Sequence, residues 1–195
     1  DLHKFIESLD TASISDERQE LLKKMSDYIS QNKPAKLNFI CTHNSRRSQL
    51  AQVWAFEMAH FFKVAIESFS GGTEVTAFNA NAVEALQEQG VTSTEIEKGD
   101  NPLYLVKAGE KQIKCYSKVY DHSDNPNSNF AAIMTCDSAD ANCPFVLGND
   151  LRLPLTYTDP KHSDGSPNQL ETYMATSQKI ATEMKFVFQN IDSQK

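Results

Sequence analysis

From Asn38 to Phe62 the chain reads NFICTHNSRRSQLAQVWAFEMAHFF, and this run limits the folds open to it. "KLNFIC" is a short apolar stretch of strand length. A polar loop with two arginines follows, and Ser48 to Phe62 then sets Leu50, Val53, Trp54, Ala55, Met58 and Phe61 at helical spacing. "FKVAIESFSGGT" predicts a second strand ending in a glycine loop. "NANAVEALQEQG" predicts a helix with an asparagine start and a glycine stop at Gly90. Strand, helix, strand and helix in this order imply a parallel sheet covered by helices.

Residues 1–34 read as an N-terminal helical extension: "LHKFIESLD", then "SISDERQELLKKMSDYISQN". Ser15 or Ser13 is the expected cap, Leu21, Leu22, Met25 and Ile29 form the apolar face, and Pro34 closes the segment. Residues 35–195 form the α/β domain. Its rhythm breaks at about 100–130, where "PLYLVKAGEKQIKCYSKVY" alternates around "AGEK" and predicts an inserted β-hairpin. "FAAIMTC" is a further apolar strand. From Asn168 to Ile191, Leu170, Tyr173, Met174, Ser177, Ile180, Ala181, Met184 and Val187 predict a long closing helix.

The 195 residues suffice for one domain with a real core. A net charge of −7 supplies no basic stripe and argues against nucleic acid as a partner. No apolar run reaches the length of a membrane span. Four cysteines are too few for a secreted disulfide scaffold of this size. They read as thiols in a reducing compartment, so the expected location is cytoplasmic.

In C-T-H-N-S-R-R-S, Arg47 follows Cys41 by six residues at a strand-to-helix junction. Ligands of open α/β sheets bind beyond the carboxyl ends of strands, where successive N–H groups and a helix start make an oxyanion site. Thr42, His43, Asn44, Ser45, Arg46 and Arg47 are therefore the candidate oxyanion-binding residues. In their field Cys41 is expected as a thiolate nucleophile. Arg47 can grip a tetrahedral oxyanion by two parallel bonds, and Ser48 can donate to the sulfur. The competing reading is a buried cysteine beside solvated arginines, but two cations at a helix start oppose the helix dipole.

"MTCDSADANCP" carries two more thiols, Cys136 and Cys143, across a small polar span suited to unwinding. A disulfide across so short a loop gains little from chain entropy and stays reducible. The spacing fits zinc poorly, and two unrelated buried cysteines are the alternative. Asp159 before Pro160 is a turn starter or an acid, with Asp164 in reserve. Cys115, in the insertion, is read as structural.

The run Cys41, Thr42, His43, Asn44, Ser45, Arg46, Arg47, Ser48, Gln49 resembles the C-x5-R loop of the low-molecular-weight protein tyrosine phosphatase superfamily. The match is closest to its thioredoxin-coupled arsenate reductases, whose loop runs C-T-G-N-S-x-R-S-Q. His43 departs from it, standing where the family has glycine, and would be strained if that position needs φ > 0. The resemblance implies a four-stranded parallel sheet flanked by helices. It also implies a Cys-x6-Cys electron relay at Cys136 and Cys143, an Asp-Pro acid at Asp159, and thioredoxin as reductant. On this reading Cys41 attacks arsenate, Cys136 attacks Cys41 and releases arsenite, and Cys143 attacks Cys136. Neither a metal nor an organic cofactor is required. Two other functions use the same loop: hydrolysis of a phosphomonoester by Cys41, Arg47 and Asp159, and a non-catalytic oxyanion-binding or redox-sensing module.

Overall fold

β1 (Ala35–Cys41) runs through the middle of a parallel sheet ordered β2-β1-β6-β7, with β2 at Ile66–Gly72, β6 at Phe130–Met134 and β7 at Asn149–Pro154. The computed structural model describes residues 1–142 and 145–191, and Cys143 lies outside the described residues. The two central strands are apolar because both faces are covered: all of β6 is buried, as is β1 apart from Lys36. β2 and β6 flank β1 on opposite sides, so the chain leaving β1 enters a crevice at the carboxyl ends of the strands.

α3 (Arg47–Phe62) is buried at every residue from Ser48 to Ala59. A helix covered on all sides needs more than one neighbour, and α3 packs on β1, β2, β4 (Leu103–Ala108) and α6 (Gln169–Gln189). α1 (Leu2–Ser8) and α2 (Asp16–Gln31) join the same core through Ile6, Leu22, Met25 and Ile29, beside Trp54, Met184 and Val187. Ser15 caps α2, accepting from the Arg18 N–H at 3.3 Å, so the sequence locates that helix start correctly. α4 (Ala80–Glu88) starts at the Asn79 cap, and Gly90 follows it with φ 97°.

The expected hairpin is β4 (Leu103–Ala108) and β5 (Lys111–Cys115), joined by a two-residue turn with Gly109 at φ 58°. A third antiparallel strand, β3 (Thr92–Glu97), was not expected. It is an exposed edge, "TSTEIE", whose burial leaves no apolar alternation to read. β7 was also unlocated, because "NDLRLP" is a half-exposed edge strand with one buried residue. The span after Cys136 differs from the expected loosely held segment: Asp137–Asn142 forms a short helix, α5, with Ala139 buried. Asp140 of this helix pairs with Arg152 at 3.0 Å. Among the described residues no helix is long and apolar enough to cross a membrane.

Candidate active site

The loop after β1 is shaped by what its carbonyls bind. The Thr42 carbonyl accepts from the N–H groups of Thr73 and Glu74, both at 2.9 Å. The His43 carbonyl accepts from the hydroxyls of Thr76 (3.0 Å) and Ser117 (2.9 Å). The Asn44 carbonyl takes the Gln49 amide at 3.0 Å, and the Ser45 carbonyl the Asn79 N–H at 2.9 Å. A planar trans peptide whose carbonyl is drawn outward turns its N–H the other way, so these bonds favour inward-facing donors. One is seen directly: the Asn44 N–H donates to Cys41 Sγ at 3.2 Å.

Asn44 is also the residue that takes the left-handed turn, with φ 48°. The strain considered for His43 therefore falls one residue later, on a side chain type that tolerates it. The Asn44 amide donates to Ser48 Oγ at 2.8 Å, and its oxygen accepts from the Lys118 N–H at 3.0 Å. Ser48 Oγ in turn lies 2.9 Å from Cys41 Sγ. Gly72 lets the loop approach the sheet, since a Cβ there would sit 2.7 Å from the Thr42 carbonyl oxygen.

Cys41, His43, Ser45, Arg46, Arg47 and Asp159 line a cleft of about 10 Å³, enough for one water at most. Arg47 donates to Asp159 Oδ2 at 3.1 Å and to the Tyr157 carbonyl at 3.0 Å. Arg46 donates to Tyr173 Oη at 2.8 Å and pairs with Asp164 at 3.4 Å. The Tyr173 hydroxyl donates to Asp164 at 2.7 Å, and burial, aided by that bond, raises the phenol above its ordinary range. Of the two candidate acids, Asp159 faces the cleft and Asp164 is taken up by Arg46 and Tyr173. His43 Nε2 lies 3.3 Å from Glu74 Oε2 at the rim.

Cys136 is 1% exposed and approaches the loop, its Sγ 3.5 Å from Thr42 Oγ1. The strand pairing explains this meeting. Ile40 and Met134 are register partners on adjacent strands, and the two thiols follow one and two residues beyond them. The Ala139 N–H donates to Cys136 Sγ at 3.3 Å, so the sulfur sits at the start of α5. Cys115 is fully buried at the end of β5, where burial pushes its thiol up to about 12. Sequence reasoning missed Tyr157, Tyr173, Glu74 and Arg18 as neighbours of the site. Tyr173 sits at helical spacing and reads as core, and the other three carry no motif.

Beside this cleft, a groove of about 430 Å³ shares His43, Ser45 and Arg46 with it. Its far wall includes Phe78 and Tyr104, whose rings meet edge to face at 5.5 Å.

No family model matches the chain. In sequence it is similar to the arsenate reductase of Staphylococcus aureus strain Newman, 28% identical over 156 residues that cover 80% of this chain and 94% of that protein. The arsenate reductase of Shouchella clausii is 27% identical over 131 residues, covering 67% and 78%. In fold it is similar to a low-molecular-weight phosphotyrosine phosphatase from Vibrio cholerae, with TM-score 0.55, 15% identity and coverage of 82% and 98%. The low-molecular-weight protein tyrosine phosphatase of T. tengcongensis gives TM-score 0.55 at 17% identity, covering 80% and 98%.

Proposed function

We propose that this chain, whose fold is similar to that of a low-molecular-weight phosphotyrosine phosphatase and whose sequence is similar to arsenate reductases, is an arsenate reductase-like oxidoreductase. The observation that carries the reading is the convergence of two thiols. Cys41 and Cys136 leave the ends of adjacent parallel strands, and Thr42 Oγ1 touches the Cys136 sulfur at 3.5 Å. Phosphoester hydrolysis has no use for the second thiol.

Arsenate enters the loop of Thr42 to Arg47 by competing with Asp159 for the Arg47 guanidinium. Cys41 sulfur attacks arsenic, and an oxygen leaves as water after protonation by Asp159. Cys136 sulfur then attacks Cys41 sulfur. The S–As electron pair passes to arsenic, which departs as arsenite, and a Cys41–Cys136 disulfide remains. Cys143 attacks Cys136, frees the Cys41 thiolate and leaves a Cys136–Cys143 disulfide for a dithiol such as thioredoxin to reduce. A cycle through free thiols suits a cytoplasmic protein.

The aromatic-walled groove beside the cleft favours one second reading. It could seat the organic part of a phosphomonoester, with Cys41, Arg47 and Asp159 carrying hydrolysis.

The test supplies arsenate, thioredoxin, thioredoxin reductase and NADPH to the wild type and Cys136→Ser, beside a phosphotyrosine substrate. Arsenate turnover that disappears in Cys136→Ser supports the proposal. Phosphatase activity without arsenate turnover would sink it. Oxyanion binding without either activity would favour a non-catalytic module.

A further inference from the structure

We infer that Arg18, on α2 far from the loop in sequence, is a positioning residue for the oxyanion cradle, fixing the backbone that holds Arg47. The inference rests on reading Arg47 as an oxyanion ligand.

Residues 155–158 carry the chain from β7 to Asp159 as irregular backbone. Arg18 braces this segment from behind. Its guanidinium donates to the Thr156 carbonyl at 3.1 Å and lies over the Tyr157 ring, 5.1 Å from the centroid. The next carbonyl, that of Tyr157, accepts from Arg47 at 3.0 Å, and two residues on Asp159 takes the other arm of the Arg47 fork. Where Arg47 points therefore depends on where residues 156 and 157 sit.

Arg18 is itself held rigidly. Glu183 on α6, 2% exposed, accepts two parallel bonds from it at 2.9 and 2.8 Å. A bidentate guanidinium–carboxylate pair fixes direction as well as distance. Such a part-buried pair contributes little net stability over an apolar substitute, so packing alone does not explain it. Three of the guanidinium's bonds are spent on one arrangement: two on α6, one on Thr156. Misplacing a binding group by about 1 Å can cost on the order of a hundredfold, which gives the brace a functional consequence.

The test is titration of inorganic phosphate into wild type, Arg18→Lys and Arg18→Met/Glu183→Met. The double variant leaves neither charge buried alone. Both variants are expected to bind phosphate about tenfold more weakly or worse per folded molecule, because a lysine cannot hold Glu183 by a fork and Thr156 together. In an Arg47→Lys background the double variant should cost less than twofold more, since both changes act through one group. Phosphate affinity within twofold of wild type, or an equal loss in both backgrounds, would overturn the inference and leave the cradle reading standing. Wild-type protein that binds neither phosphate nor arsenate would overturn both. Binding is read without thiol turnover, so the answer does not depend on whether arsenate is reduced.

Discussion

The guanidinium of Arg47 and the carboxylate of Asp159 are bonded to each other at 3.1 Å. The cation that would hold an oxyanion and the acid that would protonate its leaving group are thus partners before any substrate arrives. Substrate must take Arg47 from Asp159, and the displaced carboxyl is left beside the departing oxygen.

Asp159→Asn separates the two roles. The neutral amide holds Arg47 less firmly, so phosphate should bind several-fold more tightly, while turnover falls about a hundredfold for want of the acid. Calorimetric titration and steady-state kinetics on one preparation read both. Weaker phosphate binding would show that Asp159 does not compete for Arg47.

Asn44 combines a left-handed backbone with hydrogen bonds to Ser48, Lys118 and Cys41. Asn44→Ala should cost about 2–4 kcal/mol, from strain at φ 48° plus the lost amide bonds. Asn44→Gly keeps the turn and loses only the bonds, so it should cost less. Urea unfolding ranks the two, and equal losses would remove the backbone contribution.

Glu57, on α3, is 1% exposed, and its Oε1 has no hydrogen-bond partner among the described residues. Burial raises its carboxyl from 4.5 to about 7. Between those values the folded protein keeps a proton that the unfolded chain has released. Stability therefore falls as pH rises across this window and levels off above it, by about 3 kcal/mol. Glu57→Gln should flatten that slope and gain stability at pH 8 relative to pH 5. Urea midpoints at the two pH values measure it, and parallel slopes in both proteins would contradict it.

Cys115 is buried, with its thiol pushed up to about 12. Native protein treated with iodoacetamide at pH 8 should be modified at Cys41 and spared at Cys115. Cys115→Ala should keep arsenate turnover within about twofold of wild type. Peptide mapping after alkylation and a kinetic assay of the variant check the two statements.

The sequence was most legible where burial and local chemistry agree. β1, β6, α3 and α6 carry apolar patterns because both faces of the central strands and most of the helix surfaces are covered. The exposed edges β3 and β7 carry no such pattern and escaped notice. Within the site, Cys41, Arg47 and Ser48 lie in one short run, so a local motif could name them. Asp159 needed the Asp-Pro pair and its order in the chain. Arg18, Tyr157 and Tyr173 reach the site only through folding, the first across 138 residues to Thr156, and no local pattern marks such a contact. The left-handed turn at Asn44 rather than His43 depends on how neighbouring strands and loops bind the carbonyls, which a motif does not state.

The most direct measurement of the thiol relay is the disulfide formed in a single turnover. Cys143→Ser would be reduced, freed of reductant, given one equivalent of arsenate and quenched with an alkylating agent for peptide mapping without reduction. The relay predicts a Cys41–Cys136 disulfide in step with arsenite release, and none with phosphate in place of arsenate. Cys41 and Cys136 recovered as separate alkylated thiols after arsenate treatment would contradict it.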